Sequence, residues 1–240
     1  MFIHHGKRRT RKHNVQIGSL LSFVAGIVNV AGFLAVAKLT TNVTGHFAFF
    51  VDEVFRLNLW QGIIYFLYIF FFFLGSFISN FLVESISRVN SRFVYLIPVL
   101  IESAIITLVD FGNQLAASHE NLIACSLVFA MGLQNSLVTK ISNAIVRTTH
   151  LTGLFTDMGI ELSQLFFYRD PEIRNALWAS VRLRLTIIGF FFLGGIFSGV
   201  VYSKVGLNVL FFASATLLMG IAVDVYRLPV RRVLRSAWRR

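Results

Sequence analysis

The chain is limited above all by a succession of six apolar stretches, at roughly 16–37, 62–84, 93–112, 120–138, 184–203 and 206–226. A hydrocarbon core of ~30 Å is crossed by a helix of ~20 apolar residues. Inside it, backbone N–H and C=O groups find no water and must bond within their own segment, so helices follow. The alternation of polar and apolar positions that marks a membrane barrel is absent. Phe alone supplies 26 residues and mean hydropathy is +0.72, more apolar surface than a soluble domain of 240 residues can hide. The sequence thus predicts an all-α polytopic transmembrane helix bundle. A basic tail over 1–14 precedes a transmembrane domain over 15–226, and a second basic tail covers 227–240. The first apolar run is too long for a signal-peptide core and is expected to be a first span and anchor.

The same pattern is written twice. Thr40-Thr41-Asn42-Val43-Thr44-Gly45-His46-Phe47 returns as Thr148-Thr149-His150-Leu151-Thr152-Gly153-Leu154-Phe155, and the match continues to Glu53 and Glu161. Upstream, Phe23-x-x-Gly26-Ile27-x-Asn29 answers Phe129-x-x-Gly132-Leu133-x-Asn135. Downstream, Phe72-Phe73-Leu74-Gly75 answers Phe191-Phe192-Leu193-Gly194. These blocks define repeat one over about 15–112 and repeat two over about 120–226. Repeats in a membrane chain commonly place a site where the two copies meet.

Charge sets the expected topology. The net charge of +11 is concentrated at the ends, with five basic residues before the first span and six after the last. Basic flanks belong in the cytoplasm by the positive-inside rule and attract anionic lipid. That distribution argues against nucleic acid as a partner. With six crossings, Arg88, Arg92, Lys140, Arg169, Arg174, Arg182 and Arg184 fall in cytoplasmic loops, leaving Arg56 and Lys204 outside. This arrangement makes the copies an inverted-topology repeat of six full spans plus two short motif helices. With eight crossings the repeats are parallel and Arg88, Arg92, Lys140 and Lys204 turn outward, which obeys the rule less well.

The repeated motif has a transporter-like chemistry. Residues 36–41 and 144–149 mix β-branched residues with a basic one, Lys38 or Arg147, and suit extended chain. Thr41-Asn42 and Thr149-His150 then read as helix starts, with the free N–H groups and positive dipole end of the next helix facing a polar or anionic solute. Gly45 and Gly153 open space one turn in. Lys38, Thr41, Thr44, Gly45, Arg147, Thr149, Thr152 and Gly153 are the expected solute-binding residues. The competing account is an ordinary Thr cap and a small-residue packing contact. Behind the motif, His150, Asp157, Glu161 and Gln164 share one helix face, as do Asn42, His46, Glu53 and Arg56. Ionisable groups at membrane depth face a partner or a water-filled cavity, so Asp157, Glu161 and Glu53 are candidates for ion or proton coupling; a helix lying at the interface would carry such a face freely. Asn29, Asn135, His46 and His150 are expected to line the cavity or pack between helices. No metal-ligand spacing, phosphate loop or nucleophile motif is present in the sequence, so no metal, no cofactor and no enzymatic activity are expected. Cys125 lies in an apolar stretch and reads as a small core residue.

Three pieces of the chain resemble the YoaK-like family of bacterial membrane proteins, a domain of unknown function. They are Gly26-x-x-Asn29-x-x-Gly32-Phe33-Leu34, Val43-Thr44-Gly45-His46, and Gly132-Leu133-Gln134-Asn135-Ser136 followed by Val146-Arg147-Thr148-Thr149-His150-Leu151-Thr152-Gly153. The family pattern has Asp at the place of Asn29 and Asn at the place of His46. The resemblance covers about 15–226 and implies a multi-pass inner-membrane protein. It transfers no substrate and no catalytic residue. The leading expectation is a transporter or binder of a small polar or anionic solute at the interface of the repeats, with membrane lipid as the other partner and both termini cytoplasmic. The alternative is a non-transporting scaffold or sensor that uses its basic tails.

Overall fold

The computed structural model describes residues 2, 10–88, 94–112 and 119–237. Every regular element among them is helical: α1 (Arg11–Val36), α2 (Val43–Phe55), α3 (Leu59–Ser87), α4 (Leu96–Phe111), α5 (Glu120–Ser142), α6 (Leu151–Phe167), α7 (Pro171–Val205), a 3-10 turn (Gly206–Val209) and α8 (Leu210–Ala237). The helices α1, α3 and α5, and the run Pro171–Tyr226 that holds α7 and the first part of α8, are long and apolar enough to cross a membrane. At 16 residues, α4 is shorter than the expected 93–112 stretch, part of which lies outside the described residues.

Local signals place the helix ends. Thr10 caps α1 in a box with His13, so helix begins inside the expected tail. Likewise α8 runs helically into the second basic tail. The largest departure is at α7, which starts 13 residues before the expected 184. Asp170 accepts from the Glu172 N–H, Pro171 occupies the first turn and Glu172 adds negative charge there, a strong start signal that outweighs the local polarity. Arg174, Arg182 and Arg184, expected in a loop, are therefore helical.

Side-chain registers give the helix directions. Phe23 faces Gly194 and the Ile27 carbonyl accepts from Ser198, so α1 and α7 run parallel. Tyr68 reaches Asn121, Ser76 reaches the Gly132 carbonyl and Lys140 pairs with Glu84, so α3 and α5 run parallel too. Leu21 meets Gln134 whereas Gly32 faces Leu127, so α1 and α5 are antiparallel. Both short helices fold back on the next long one: α2 on α3 through His46–Tyr68 and Phe49–Tyr65, α6 on α7 through Glu161–Ser180 and Asp157–Arg184.

The two most extensive helix contacts are α1 with α7 and α3 with α5, each joining a helix of one copy to a helix of the other. Their crossing points are the four repeated Phe-x-x-Gly blocks. A Cβ at Gly26 would strike the Phe191 carbonyl, one at Gly194 the Phe23 carbonyl, one at Gly75 the Phe129 carbonyl and one at Gly132 the Phe72 carbonyl. Small residues let helix backbones approach where no hydrophobic gradient drives association.

Candidate functional site

Each repeated motif is a chain segment folded back along the helix that precedes it. Helix α1 ends at Ala37 in the left-handed region (φ 51°), and α5 ends through two such residues, Asn143 (φ 54°) and Ala144 (φ 63°). The reversal is held by matching bonds. Thr41 Oγ1 donates to Asn29 Oδ1 at 2.8 Å, and Thr149 Oγ1 donates to Asn135 Oδ1 at 2.8 Å. Thr40 and Thr148 beside them are buried. Since Asn29 lies seven residues before the end of α1, the returning chain reaches ~10 Å back along that helix. The helix starts fall where expected, with Asn42 accepting from the Gly45 N–H and His150 at the N-cap of α6.

Several of the expected residues have local partners. Space at Gly45 is filled by Leu39 and Asn42, and space at Gly153 by the His150 ring, so these glycines serve their own caps. Thr44, Thr152, Arg147 and His150 are exposed. Lys38 Nζ donates to Tyr65 Oη and sits 5.0 Å over that ring. His46 is buried against the Leu39 carbonyl and Tyr68. Glu53 accepts from Asn58. A link between the copies runs through buried Gln134, whose amide donates to the Leu21 carbonyl and to Thr148.

Asp157 and Glu161 do converge, on an arginine that sequence reasoning put in a loop. Arg184 Nε and Nη2 each bond Glu161 at 3.0 Å, and Nη1 bonds Asp157 at 2.9 Å. Ser180 adds a 2.6 Å bond to Glu161. A bidentate fork of this kind fixes geometry as well as charge. It ties α6 to α7 and engages both carboxylates. In the first copy the matching positions are Phe49 and Tyr65, stacked at 5.2 Å.

The polar surface that faces open space lies elsewhere. Ser76, Asn80, Asn135, Ser136, Thr139, Lys140, Asn143 and Ala144 line a cleft of about 480 Å³ between the C-terminal halves of α3 and α5. Its floor is the Asn135 that holds Thr149; its rim is Lys140, paired with Glu84. Carried through the repeated blocks, Ser76, Asn80, Ser136, Thr139 and Lys140 correspond to Gly195, Gly199, Val30, Phe33 and Leu34. That second groove is apolar, and Val30 lies 3.2 Å from where a Cβ of Gly195 would stand. The two copies therefore differ: one groove carries hydroxyl, amide and ammonium side chains, its counterpart glycine and apolar side chains. The cleft residues sit at i, i+4 spacing (Ser76, Asn80; Asn135, Thr139; Ser136, Lys140), with Glu84, the partner of Lys140, one turn beyond Asn80, a polar stripe that periodicity alone reveals.

Fold and site together define an all-helical, membrane-type bundle with a cleft lined by polar residues between α3 and α5. The chain belongs to the family described as "Protein of unknown function (DUF1275)", whose sequence profile matches residues 17–223. No curated protein and no solved structure matches it.

Proposed function

We propose that this protein is a multi-pass membrane transporter or binder of a small polar or anionic solute, and that the solute occupies the cleft between α3 and α5. The observation that carries this reading is the asymmetry of the two grooves. If hydroxyl and amide side chains served only to pack helices, the duplicated position would be expected to keep them; instead it holds Gly195, Gly199, Val30 and Phe33. Three asparagines, two serines, a threonine and a lysine offer convergent donors at low cost in charge. Thr149 acts from beneath the floor as a positioning residue.

The same reading includes six crossings with inverted halves. Support comes from the matched helices α1 and α5 running antiparallel while α2 and α6 each fold back on the following long helix. Both termini and the mouth of the cleft are then cytoplasmic, on the side the positive-inside rule assigns. The test is a thermal-shift series on protein in lipid with inorganic phosphate, sulfate and small carboxylates. A saturable rise in Tm that Asn80→Leu and Ser136→Leu remove, with the fold retained, is the expected result. Equal shifts in wild type and variants would reject the cleft.

A further inference from the structure

Glu102 stands in the middle of α4 with no accessible surface, and neither of its carboxyl oxygens has a hydrogen-bond partner among the described residues. Next to it, Ser103 Oγ lies 2.8 Å from Ser214 Oγ and Thr107 Oγ1 lies 2.7 Å from the same atom, fixing the place where α4 crosses α8. The side chain is therefore in the packed interior of the bundle and not at a frayed end.

Among the described residues the surroundings supply no cation. The elements packed on α4 are α8, α5, α3 and the 3-10 turn. In α8 the titratable residues are Asp224, which accepts from the Phe2 N–H, Tyr226 and the arginines from Arg227 onward in the terminal turns. In α5 they are Glu120 at the exposed start, Cys125, and Lys140, which is paired with Glu84 of α3. Tyr65 and Tyr68 of α3 are engaged by Lys38 and Asn121. On α4 itself, Asp110 lies two turns on, beside the Phe211 backbone. The 3-10 turn carries no titratable side chain.

A carboxylate buried without a cation or donor costs far more than a neutral carboxyl in the same place, so the group takes up a proton instead. We propose that Glu102 is a proton-binding site, neutral in this conformation and ionised only in one that opens α4 to water. For a solute carrier this is the coupling role that sequence reasoning gave to Asp157 and Glu161, both of which are paired with Arg184. That coupling role rests on the proposed function above; the proton-binding site does not.

The test is infrared difference spectroscopy on the full-length protein in lipid vesicles, comparing wild type with Glu102→Gln and Glu102→Asp. The wild type should show a protonated-carboxyl C=O band that Glu102→Gln abolishes and Glu102→Asp shifts, and the band should persist in buffers well above the ordinary carboxylic-acid range. If Glu102→Gln does not fold, the shift in Glu102→Asp decides. A wild type without that band, a band unchanged in the folded variants, or a band that titrates away in the ordinary carboxyl range would overturn the proposal. None of these readouts involves a solute, so failure here leaves the cleft standing, and loss of the cleft leaves this result untouched.

Discussion

Asn135 shows how one side chain can serve fold and site together. Its amide oxygen holds Thr149, its amide nitrogen donates to the Met131 carbonyl, and its remaining surface forms the cleft floor. Thr149→Val keeps the shape but leaves that oxygen unpaired, which should cost about 1–2 kcal/mol. Thr41→Val should cost a similar amount at Asn29, where no polar cleft opens; only Thr149→Val should also weaken solute-induced stabilisation, measurable as a loss of thermal shift. Backbone strain gives an opposite prediction nearby. Ala144 sits at φ 63°, which costs a residue with a Cβ roughly 1 kcal/mol, so Ala144→Gly should raise Tm if the turn stays intact.

At the scale of elements, glycine positions divide sharply by what lies opposite them. At Gly26, Gly75, Gly132 and Gly194 an added methyl meets a backbone carbonyl; at Gly159 and Gly189 it meets nothing within 4 Å. Alanine at any of the first four should destabilise by about 1–3 kcal/mol through forced separation of helices. Alanine at Gly159 or Gly189 should be neutral or stabilising by about 0.5–1 kcal/mol, since both are mid-helix. The Arg184 fork is a second element-level device. Arg184→Leu leaves Asp157 and Glu161 facing each other without a cation and should loosen α6 from α7. Adding Asp157→Asn and Glu161→Gln should restore part of the lost Tm; no recovery in the triple variant would show that the arginine acts through packing alone.

Much of this was legible beforehand. Long apolar runs gave the spanning helices because the bilayer leaves the backbone one solution there. The repeat singled out Thr41, Thr149, Asn29 and Asn135 but not their pairing, because each Thr lies 12 or 14 residues beyond its Asn across a chain reversal. What escaped reading did so for physical reasons. The start of α7 at Pro171 was obscured because its first turns are polar, and a hydropathy pattern measures burial in lipid, not helix. Arg184 looked like a loop cation because its two carboxylates lie 23 and 27 residues away in sequence. The cleft needed two helices from different copies in register, which no single periodicity contains.

For the whole molecule, the proposed six-crossing arrangement makes a direct prediction. With Cys125 replaced by Ser, single cysteines at Asn58, in the α2–α3 turn, and at Asn143, after α5, should be labelled by a membrane-impermeant thiol reagent from the outer face and from the cytoplasmic face respectively. Both positions are exposed and described, whereas residues 89–93 and 113–118 lie outside the described residues. The reverse assignment, Asn58 labelled from the cytoplasmic face and Asn143 from the outer face, would reject inverted halves and return the eight-crossing alternative.

The crosswise pairing of the four Phe-x-x-Gly blocks also bears on how the protein is made. Synthesis delivers α1 and α3 well before their partners α7 and α5 exist. Until then their glycine faces have only lipid or each other to touch, so the first copy emerges as an unfinished surface. Assembly has to wait for translation to pass α7, near residue 205. A ribosome-nascent chain stopped after α4 should remain protease-sensitive in the membrane, and supplying α5–α8 as a separate chain should rescue it by completing both crossings.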